Sequence, residues 1–297
     1  MLSTRQNWAL IALICGAIGI SFASPLAKLA VTEAEIGWTA SAMWRTAIAA
    51  PLLWVLTCFR PSQMSHVPLG RHAMWLVLPG VLFALDLWTW HLSFAWTSAA
   101  HATLLANLSV VLVGIVGWRF LKETLRPAYA IGVLLALGGA AWLLFATPDQ
   151  GAFPRRLEGD GLALLTAVFY ASYIVSVKLL RNRYSALQVI AMASTSAACV
   201  LLPLSFLSDD AILPSHASGW WWLILLAVIP QCLGQGLIVL SLSALPASFA
   251  AVTLLIQPLA TAVWGWLLLG ESLVATQIWA GIVVIAGIVM ARLGSGR

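Results

Sequence analysis

Apolar residues along the chain gather into ten long runs, and most polar residues lie in the short stretches between them. A transmembrane α-helix needs about 20 mainly apolar residues to cross the bilayer core, and each run is close to that length. Helices are required because lipid offers no hydrogen-bond partner to backbone groups. The pattern predicts an all-α integral membrane protein of ten transmembrane helices, called spans 1 to 10, at residues 8–31, 38–59, 72–95, 99–121, 127–146, 159–180, 187–207, 219–242, 246–269 and 274–292.

Composition excludes a soluble globule. Of 297 residues, 62% are hydrophobic and 8% charged, whereas a soluble domain carries about 25% charged residues. The net charge of +5 does not indicate nucleic-acid binding, because the basic residues lie in short loops, as membrane topology requires. The four cysteines lie inside apolar runs without the spacing of a metal site. We expect a lipid bilayer as the environment, and no nucleic acid, metal or cofactor.

Charged residues between the runs are divided unequally between the two sides of the membrane. The side that holds the N-terminus, side A, has eleven basic residues and one acidic residue, whereas side B has three basic and eight acidic residues. Basic loops stay in the cytoplasm, so we expect both termini there, in a bacterial inner membrane. The basic residues of side A are Arg5, Arg60, Arg71, Arg119, Lys122, Arg126, Lys178, Arg181, Arg183, Arg292 and Arg297, and those of side B are Lys28, Arg155 and Arg156.

The sequence repeats itself at an offset of about 148 residues, which predicts a first repeat at 1–150 (spans 1 to 5) and a second at 151–297 (spans 6 to 10). Because five is an odd number, the second copy enters the membrane inverted. Inverted repeats are a recurrent plan of secondary transporters, whose halves expose a central site to each side in turn. The alternative is a duplication that only built a stable bundle. Matching pairs include Gly117 and Gly265, Trp118 and Trp266, Glu123 and Glu271, and Gly139 and Gly287.

Two stretches carry a family resemblance, SFAWTSAAHATLLANLSVVLVGIVGWRFLKETL in the first repeat and LSALPASFAAVTLLIQPLATAVWGWLLLGESL in the second. They resemble the signature regions of the drug/metabolite transporter superfamily, EamA type, and Arg45 resembles that family's frequent arginine in the second span. The resemblance implies a ten-helix inverted-repeat carrier, usually an exporter of amino acids or other metabolites in bacteria. Lys122 departs from the pattern, because the second repeat has Gly270 there.

Two charged residues lie deep within the predicted spans, away from the span ends, Arg45 in span 2 and Asp86 in span 3. A charge at the centre of a membrane helix costs about 2.5–3.5 kcal/mol on insertion scales, so it usually faces a cavity or a partner. At about 1.5 Å per residue, Arg45 lies about 10 Å and Asp86 about 14 Å below side B, which allows them to meet. We hypothesise a zwitterion clamp, in which Arg45 binds a carboxylate and Asp86 binds an ammonium or carries a coupling proton. The alternatives are a structural ion pair, or an Arg45 side chain that extends to the outer interface.

Aromatic residues accompany Asp86 in span 3. Phe83 and Trp90 share its helix face at steps of three and four, and Trp88 and His91 lie on a neighbouring face. An aromatic wall beside a charge suits an amphipathic ligand through stacking and cation–π contact. His91 is a candidate proton relay. The alternatives are tryptophans that anchor the chain at the interface and a histidine that only hydrogen-bonds a neighbour.

The second repeat adds polar candidates. Gln231 and Gln235 flank Gly234 in span 8, which corresponds to Asp86 by the repeat offset, and span 6 contributes two tyrosines. The predicted substrate site therefore comprises Asp86, Trp90, Arg45, Trp88, His91, Phe83, Tyr170, Tyr173, Gln231 and Gln235.

Proline and glycine predict that spans 3 and 8 are interrupted in matching places, which often marks a substrate site. The residues concerned are Pro79 and Gly80 in span 3 and Pro230, Gly234 and Gly236 in span 8. We interpret Asn107 and Gln257 as amides that join helices. Glu123 and Glu271 each open the next helix, where an acid favours the positive helix terminus.

The leading hypothesis is a secondary carrier, not an enzyme, that exports amino acids or similar small metabolites by alternating access. Protons are the candidate coupling ion, and we expect a monomer or a weak dimer. The sequence contains no Walker-type loop, so we do not expect ATP to be the direct energy source. The alternative within transport is an exporter of drugs or amphipathic cations. An intramembrane enzyme would need paired catalytic groups within the spans, and a scaffold would normally carry a soluble domain or a long tail.

Overall fold

The computed structural model of the chain describes residues 4–59, 73–93, 96–97, 99–145, 155–208, 211–269 and 275–296. These residues form ten helical spans and confirm the predicted all-α membrane fold. Within the described residues, nine spans are long and apolar enough to cross a membrane, and span 5 is a shorter apolar helix. The unbroken spans are Trp38–Cys58 (span 2), Ala73–Ser93 (span 3), Pro127–Phe145 (span 5), Arg156–Leu180 (span 6), Ala186–Leu207 (span 7) and Ala275–Gly294 (span 10).

Four spans contain an irregularity. Spans 1, 4 and 9 are each divided into two helices, at Phe22, at Leu108 and at Leu254 with Leu255. Span 8 is continuous but π-helical at its centre. The segments, in chain order, are Thr4–Ser21 and Ala23–Ala34 (span 1), Ala99–Asn107 and Ser109–Arg119 (span 4), Gly219–Leu226, Ala227–Gln235 and Gly236–Ser241 (span 8), and Ala247–Thr253 and Ile256–Leu269 (span 9).

The outer surface of the bundle is apolar, as lipid requires. Large side chains such as Leu134, Leu207 and Trp279 are more than half exposed, an arrangement that water would disfavour over so large a surface. The interior contains many alanines, which allow helices to approach closely where lipid provides no hydrophobic driving force. The chain is therefore a multi-pass membrane protein.

The most extensive helix pairings join spans from different halves of the sequence. Span 5 packs on span 10, span 3 on spans 6 and 7, span 2 on span 7, and span 1 on span 8. Glycine permits the closest of these approaches, since a Cβ atom on Gly132 would lie 2.6 Å from the carbonyl oxygen of Gly287. The described helices of the first half of the sequence are thus packed against those of the second half.

The prediction of matching interruptions in spans 3 and 8 is wrong for span 3, whereas span 8 has a π-helical segment around Pro230 in place of a break. Ala73–Ser93 is one continuous helix that accommodates Pro79. Gly80 serves packing instead, because a Cβ atom there would lie 2.5 Å from the carbonyl oxygen of Ala193 in span 7. The matching interruptions lie in spans 4 and 9, at Leu108 and at Leu254–Leu255, about 148 residues apart.

Glu123 is a helix cap, but not of the helix that it opens. Its Oε1 accepts a hydrogen bond from the backbone N of Ala247 at 2.7 Å, and its Oε2 accepts one from the backbone N of Ser248 at 3.1 Å. The carboxylate therefore caps span 9, in the other half, because the connection after span 4 lies against the start of that helix. Glu271, its counterpart by the repeat, lies outside the described residues.

The same connection contains Lys122, the position at which the first repeat departs from the second. Its φ is 56°, in the left-handed region where glycine is favoured, and the second repeat has Gly270 at this position. Directly after it, β1 (Thr124–Leu125) pairs antiparallel with β2 (Ser295–Gly296), which joins this connection to the end of span 10.

A second junction lies where the connection after span 3 meets the start of span 6. Thr97 Oγ1 donates a hydrogen bond to Asp160 Oδ1 at 2.6 Å, and the Arg155 guanidinium lies over the Trp96 ring at 4.0 Å. By the predicted topology this junction belongs to side B, and that of Glu123 to side A. The two halves therefore contact each other at both ends of the bundle.

Candidate functional site

A cavity of about 110 Å³ lies among spans 1, 2, 3, 4, 6 and 9. Its lining includes residues next to three helix interruptions: Ala23 in span 1, Asn107 in span 4 and Leu254 in span 9. Interruptions free backbone groups and allow side chains to converge, which is how carriers build sites within the membrane. Five of the ten predicted site residues line this cavity, namely Arg45, Phe83, Asp86, Trp90 and Tyr170.

Asp86 is buried, with 7% of its surface exposed, and it lines the cavity. Its carboxylate has no hydrogen bond or ion pair with any described residue, while its backbone carbonyl accepts a hydrogen bond from Thr89 Oγ1 at 3.2 Å. A buried carboxylate without a partner is unfavourable, because low-dielectric surroundings do not compensate its lost hydration. Asp86 is thus placed to receive a cationic group or a proton.

Arg45 is 2% exposed and lines the same cavity, so its side chain does not extend to the outer interface. Its Nε donates a hydrogen bond to Gln231 Oε1 at 3.0 Å, and its guanidinium lies 5.7 Å from the Phe83 ring centre. Arg45 is the charged neighbour of Asp86, but the two form no direct ion pair. The structural ion pair considered above is therefore absent from the described residues, and the two opposite charges share the cavity.

The glutamines of span 8 lie outside the cavity lining and form hydrogen bonds with Arg45 and Tyr173. Gln231 accepts from Arg45 and donates through Nε2 to Ser194 Oγ at 3.1 Å. Gln235 donates to the Tyr173 hydroxyl at 2.9 Å, and the Tyr173 ring packs 4.9 Å from that of Phe83. These three predicted residues do not line the cavity; they hold the residues that do.

Trp88 and His91 do not line the cavity either. Trp88 is partly buried against the main apolar core. The His91 ring is fully buried, its Nδ1 lies 2.7 Å from the carbonyl oxygen of Leu87, and it packs edge-on against Trp90 at 5.2 Å. His91 therefore supports the ring of Trp90, which lines the cavity, whereas Trp88 contributes to the apolar core.

Asn107 and Gln257 lie in the lining, whereas the sequence favours a role in joining helices. Asn107 Nδ2 is buried without a hydrogen-bond partner among the described residues, and the buried Tyr170 hydroxyl lies beside Gln257. Leaving such a group unpaired costs about 1–3 kcal/mol. No proline or glycine lies beside the interruption at Leu108, so sequence offered no signal for Asn107, whereas Pro258, which has no N–H to donate to the carbonyl of Leu254, follows Gln257 directly and was the available signal in span 9.

A larger cavity of about 470 Å³ lies at the ends of spans 4, 6 and 8, but two of its three charged lining residues, Glu123 and Lys178, have structural tasks. Lys178 Nζ donates to the carbonyl oxygens of Leu242 and Leu245 at 2.8 and 2.6 Å. Glu123, also in its lining, caps span 9. We therefore assign the candidate site to the smaller, central cavity, whose charged groups include an unpaired one.

Comparison with known proteins gives a consistent picture. The EamA-like transporter family matches residues 7–145 and again residues 157–293. The chain is 27% identical over 285 residues to the pseudopaline exporter CntI of Pseudomonas aeruginosa, covering 94% of this chain and 96% of the exporter. It is 30% identical over 176 residues to the threonine/homoserine exporter RhtA of Salmonella typhimurium, covering 57% of this chain and 55% of that protein.

Solved structures agree on the fold. One crystal structure superposes with a TM-score of 0.80, covering 99% of both chains at 16% sequence identity. With a family match over most of the sequence, ten helical spans and a charged cavity between them, the chain belongs to the EamA-like transporter family of the drug/metabolite transporter superfamily and is a membrane transporter, not an enzyme.

Proposed function

We propose that this transporter is a secondary carrier that exports amino acids or similar zwitterionic metabolites across the bacterial inner membrane. The observation that carries the proposal is the buried, unpaired carboxylate of Asp86 in the same cavity as Arg45. A zwitterion brings one charge of each sign and satisfies both residues at once. A ligand with a single charge would leave one of them uncompensated in a low-dielectric site.

The geometry of Arg45 suits a carboxylate. Its Nε is engaged by Gln231, which fixes the plane of the guanidinium and leaves its terminal amino groups for a ligand. Planar carboxylates pair with arginine through two parallel hydrogen bonds. Asp86 supplies the partner for the ammonium and, when the cavity is empty, is the candidate site of a coupling proton.

The named relatives support a small-molecule cargo that leaves the cell. One is named for pseudopaline and another for threonine and homoserine. Those substrates are the substrates of the two relatives. What the two relatives have in common is that each is named as an exporter of a small polar molecule. We place the cargo of this chain in the amino-acid class on the basis of its two cavity charges.

Alternating access would follow from two inverted halves with both termini in the cytoplasm. The halves contact each other at both ends of the bundle, through Glu123 at one end and through Thr97 and Asp160 at the other. Opening either junction would connect the cavity with one side of the membrane. The two junctions would then open in turn.

A second candidate cargo is an amphipathic cation, which the rings of Phe83 and Trp90 in the lining beside Asp86 would favour. Arg45 argues against it, because a like charge would face the cation in a dry cavity. The two cargo classes therefore differ in whether they need Arg45.

The test is counterflow of labelled amino acids in vesicles that contain the purified protein. We expect saturable exchange of amino acids that is lost in both Asp86→Asn and Arg45→Gln. Glu33→Gln, which changes an exposed acid outside the cavity, should exchange like the native protein. Flux of aromatic cations that survives Arg45→Gln, without amino-acid exchange, would replace the proposal with the cation alternative.

A further inference from the structure

Besides its two charged residues, the cavity lining contains two amides and one phenol. Asn107 comes from span 4, Tyr170 from span 6 and Gln257 from span 9. The amide nitrogen of Asn107 is buried and makes no hydrogen bond with a described residue, and the buried hydroxyl of Tyr170 has Gln257 as its neighbour. We call these three side chains the polar wall.

The position of the polar wall follows from the helix interruptions. Asn107 ends the first helix of span 4, immediately before Leu108. Gln257 is the second residue of the helix that resumes span 9 after Leu254 and Leu255. Tyr170, which is on span 6, lies beside Gln257. Two matching irregularities thus bring amides from both halves of the sequence into one cavity.

A membrane interior makes unpaired donors informative. Lipid cannot satisfy them, so buried polar groups in membrane proteins pair with one another, with backbone or with water. The Asn107 amide nitrogen pairs with no described protein group, and the neighbour of the Tyr170 hydroxyl is Gln257, itself part of the polar wall. We therefore expect the polar wall to find its partner in a group of the ligand that occupies the cavity during transport.

The chemistry of that ligand group is limited by charge. Among the described lining residues, Arg45 and Asp86 are the charged side chains, and the carboxylate and ammonium of an amino acid engage them both. A charged substituent would then have no counter-ion. Amide and phenol groups both donate and accept, so they suit a neutral hydroxyl or carboxamide.

The size of the cavity limits the group further. Its volume of about 110 Å³ corresponds to roughly four water molecules at liquid density. A short side chain fits such a space, and a large aromatic one does not fit without expansion of the cavity.

We propose that the polar wall is a specificity subsite, which makes this carrier select amino acids with short, neutral, hydrogen-bonding side chains over aliphatic amino acids of the same shape. The inference rests on the proposed function and deepens it. It assigns Asn107, Tyr170 and Gln257 to the side chain of the cargo, and leaves Arg45 and Asp86 to its main-chain charges.

Matched ligand pairs test the subsite directly. L-Threonine and L-valine differ by a hydroxyl in place of a methyl, and L-homoserine and L-norvaline differ in the same way. Competition of each against labelled threonine in vesicles that contain the full chain should show the hydroxylated member of each pair preferred about tenfold. That factor corresponds to one or two net hydrogen bonds.

Variants assign the preference to residues. Tyr170→Phe removes one oxygen and Asn107→Leu keeps the volume, and each should bring the threonine-to-valine ratio to within about twofold by weakening threonine alone. Tyr184→Phe, a tyrosine outside the cavity lining, should keep the native ratio. Because Tyr170→Phe changes so little volume, it also provides the readout should Asn107→Leu fail to fold.

The outcomes separate the two proposals. Equal competition by threonine and valine, with both lost in Asp86→Asn, would overturn the subsite and leave the proposed function standing. An unchanged ratio in both variants would also overturn it. Absence of binding by every amino acid to the folded native protein would overturn the proposed function and the subsite together.

Discussion

Arg45 and Gln231 are joined by a buried hydrogen bond of 3.0 Å between Nε and Oε1, although they lie 186 positions apart in the chain. Arg45 is on span 2 and Gln231 is on the π-helical part of span 8, so the cation of the cavity is held by the other half of the sequence. Movement of one half against the other would therefore change the position of this charge.

Replacing Gln231 should damage both the stability and the site. Gln231→Leu leaves the Nε of a buried guanidinium unpaired, which we expect to lower the free energy of unfolding by about 1–3 kcal/mol. The less constrained guanidinium should also weaken amino-acid binding about tenfold. Thermal unfolding in detergent and ligand titration measure the two effects. Leu233→Ala, at a largely exposed position of the same segment, should bind as the native protein does, and native affinity in Gln231→Leu would show that Arg45 needs no such support.

Asp86 and Arg45 should respond in opposite ways in the ligand-free protein. Asp86→Asn removes a buried charge that has no direct partner. We therefore expect its free energy of unfolding to stay the same or to rise by up to about 1 kcal/mol. Arg45→Met leaves Gln231 Oε1 without its donor and should unfold earlier. Both variants should lose the stabilisation by added amino acid that the native protein shows. A marked loss of ligand-free stability in Asp86→Asn would instead indicate that Asp86 has a structural partner.

The general plan of the molecule could be predicted because it follows from strong and simple forces. Apolar runs of about 20 residues must become helices in lipid, and all ten spans lie where the runs indicate. Arg45 and Asp86 were identifiable because an intramembrane charge is costly enough to require a cavity or a partner. Both line the central cavity.

What sequence could not supply depends on local backbone geometry. Span 4 breaks at Leu108, an ordinary helix-forming residue, so Asn107 looked like an isolated amide within a helix. Span 9 breaks at Leu254–Leu255, where Pro258 removes the backbone donor for Leu254, a signal that reveals the break but not the direction of the Gln257 side chain. Gln231 and Gln235 lie in a π-helix, where the usual relation between spacing and helix face does not hold. Their side chains consequently reach different partners, Arg45 and Tyr173, and neither lines the cavity.

Gly117 provides a test of the cap that Glu123 forms on span 9. A Cβ atom at Gly117 would lie 2.7 Å from Glu123 Oε2, so Gly117→Ala should displace the carboxylate. Gly138→Ala is the matched control, since nothing lies within 4 Å of its Cβ position. Alanine itself favours a helix by about 1 kcal/mol over glycine, so the difference between the two variants isolates the cap. We expect Gly117→Ala to be the less stable by about 1–2 kcal/mol in chemical unfolding, whereas equal stabilities would show that the cap is dispensable.

The junction at Thr97 and Asp160 allows a direct test of alternating access. Thr97 precedes span 4 in the first half, Asp160 lies in the first turns of span 6 in the second half, and their side chains are hydrogen-bonded at 2.6 Å. If the halves separate here during each cycle, a covalent bond between these positions must stop transport. The pair Thr97→Cys and Asp160→Cys, in a chain whose four native cysteines are replaced, supplies that bond under oxidation.

We expect the oxidised pair to lose amino-acid exchange and to regain it after reduction, while each single cysteine variant remains insensitive to oxidant. The reversible loss distinguishes a trapped carrier from a misfolded one, because reduction restores only a protein that is still folded. Cross-linking should leave ligand-induced thermal stabilisation measurable in detergent if the cavity remains accessible from the opposite end. Undiminished exchange in the fully cross-linked protein would mean that this junction stays closed throughout the cycle, and the path of the cargo would then have to leave the cavity elsewhere.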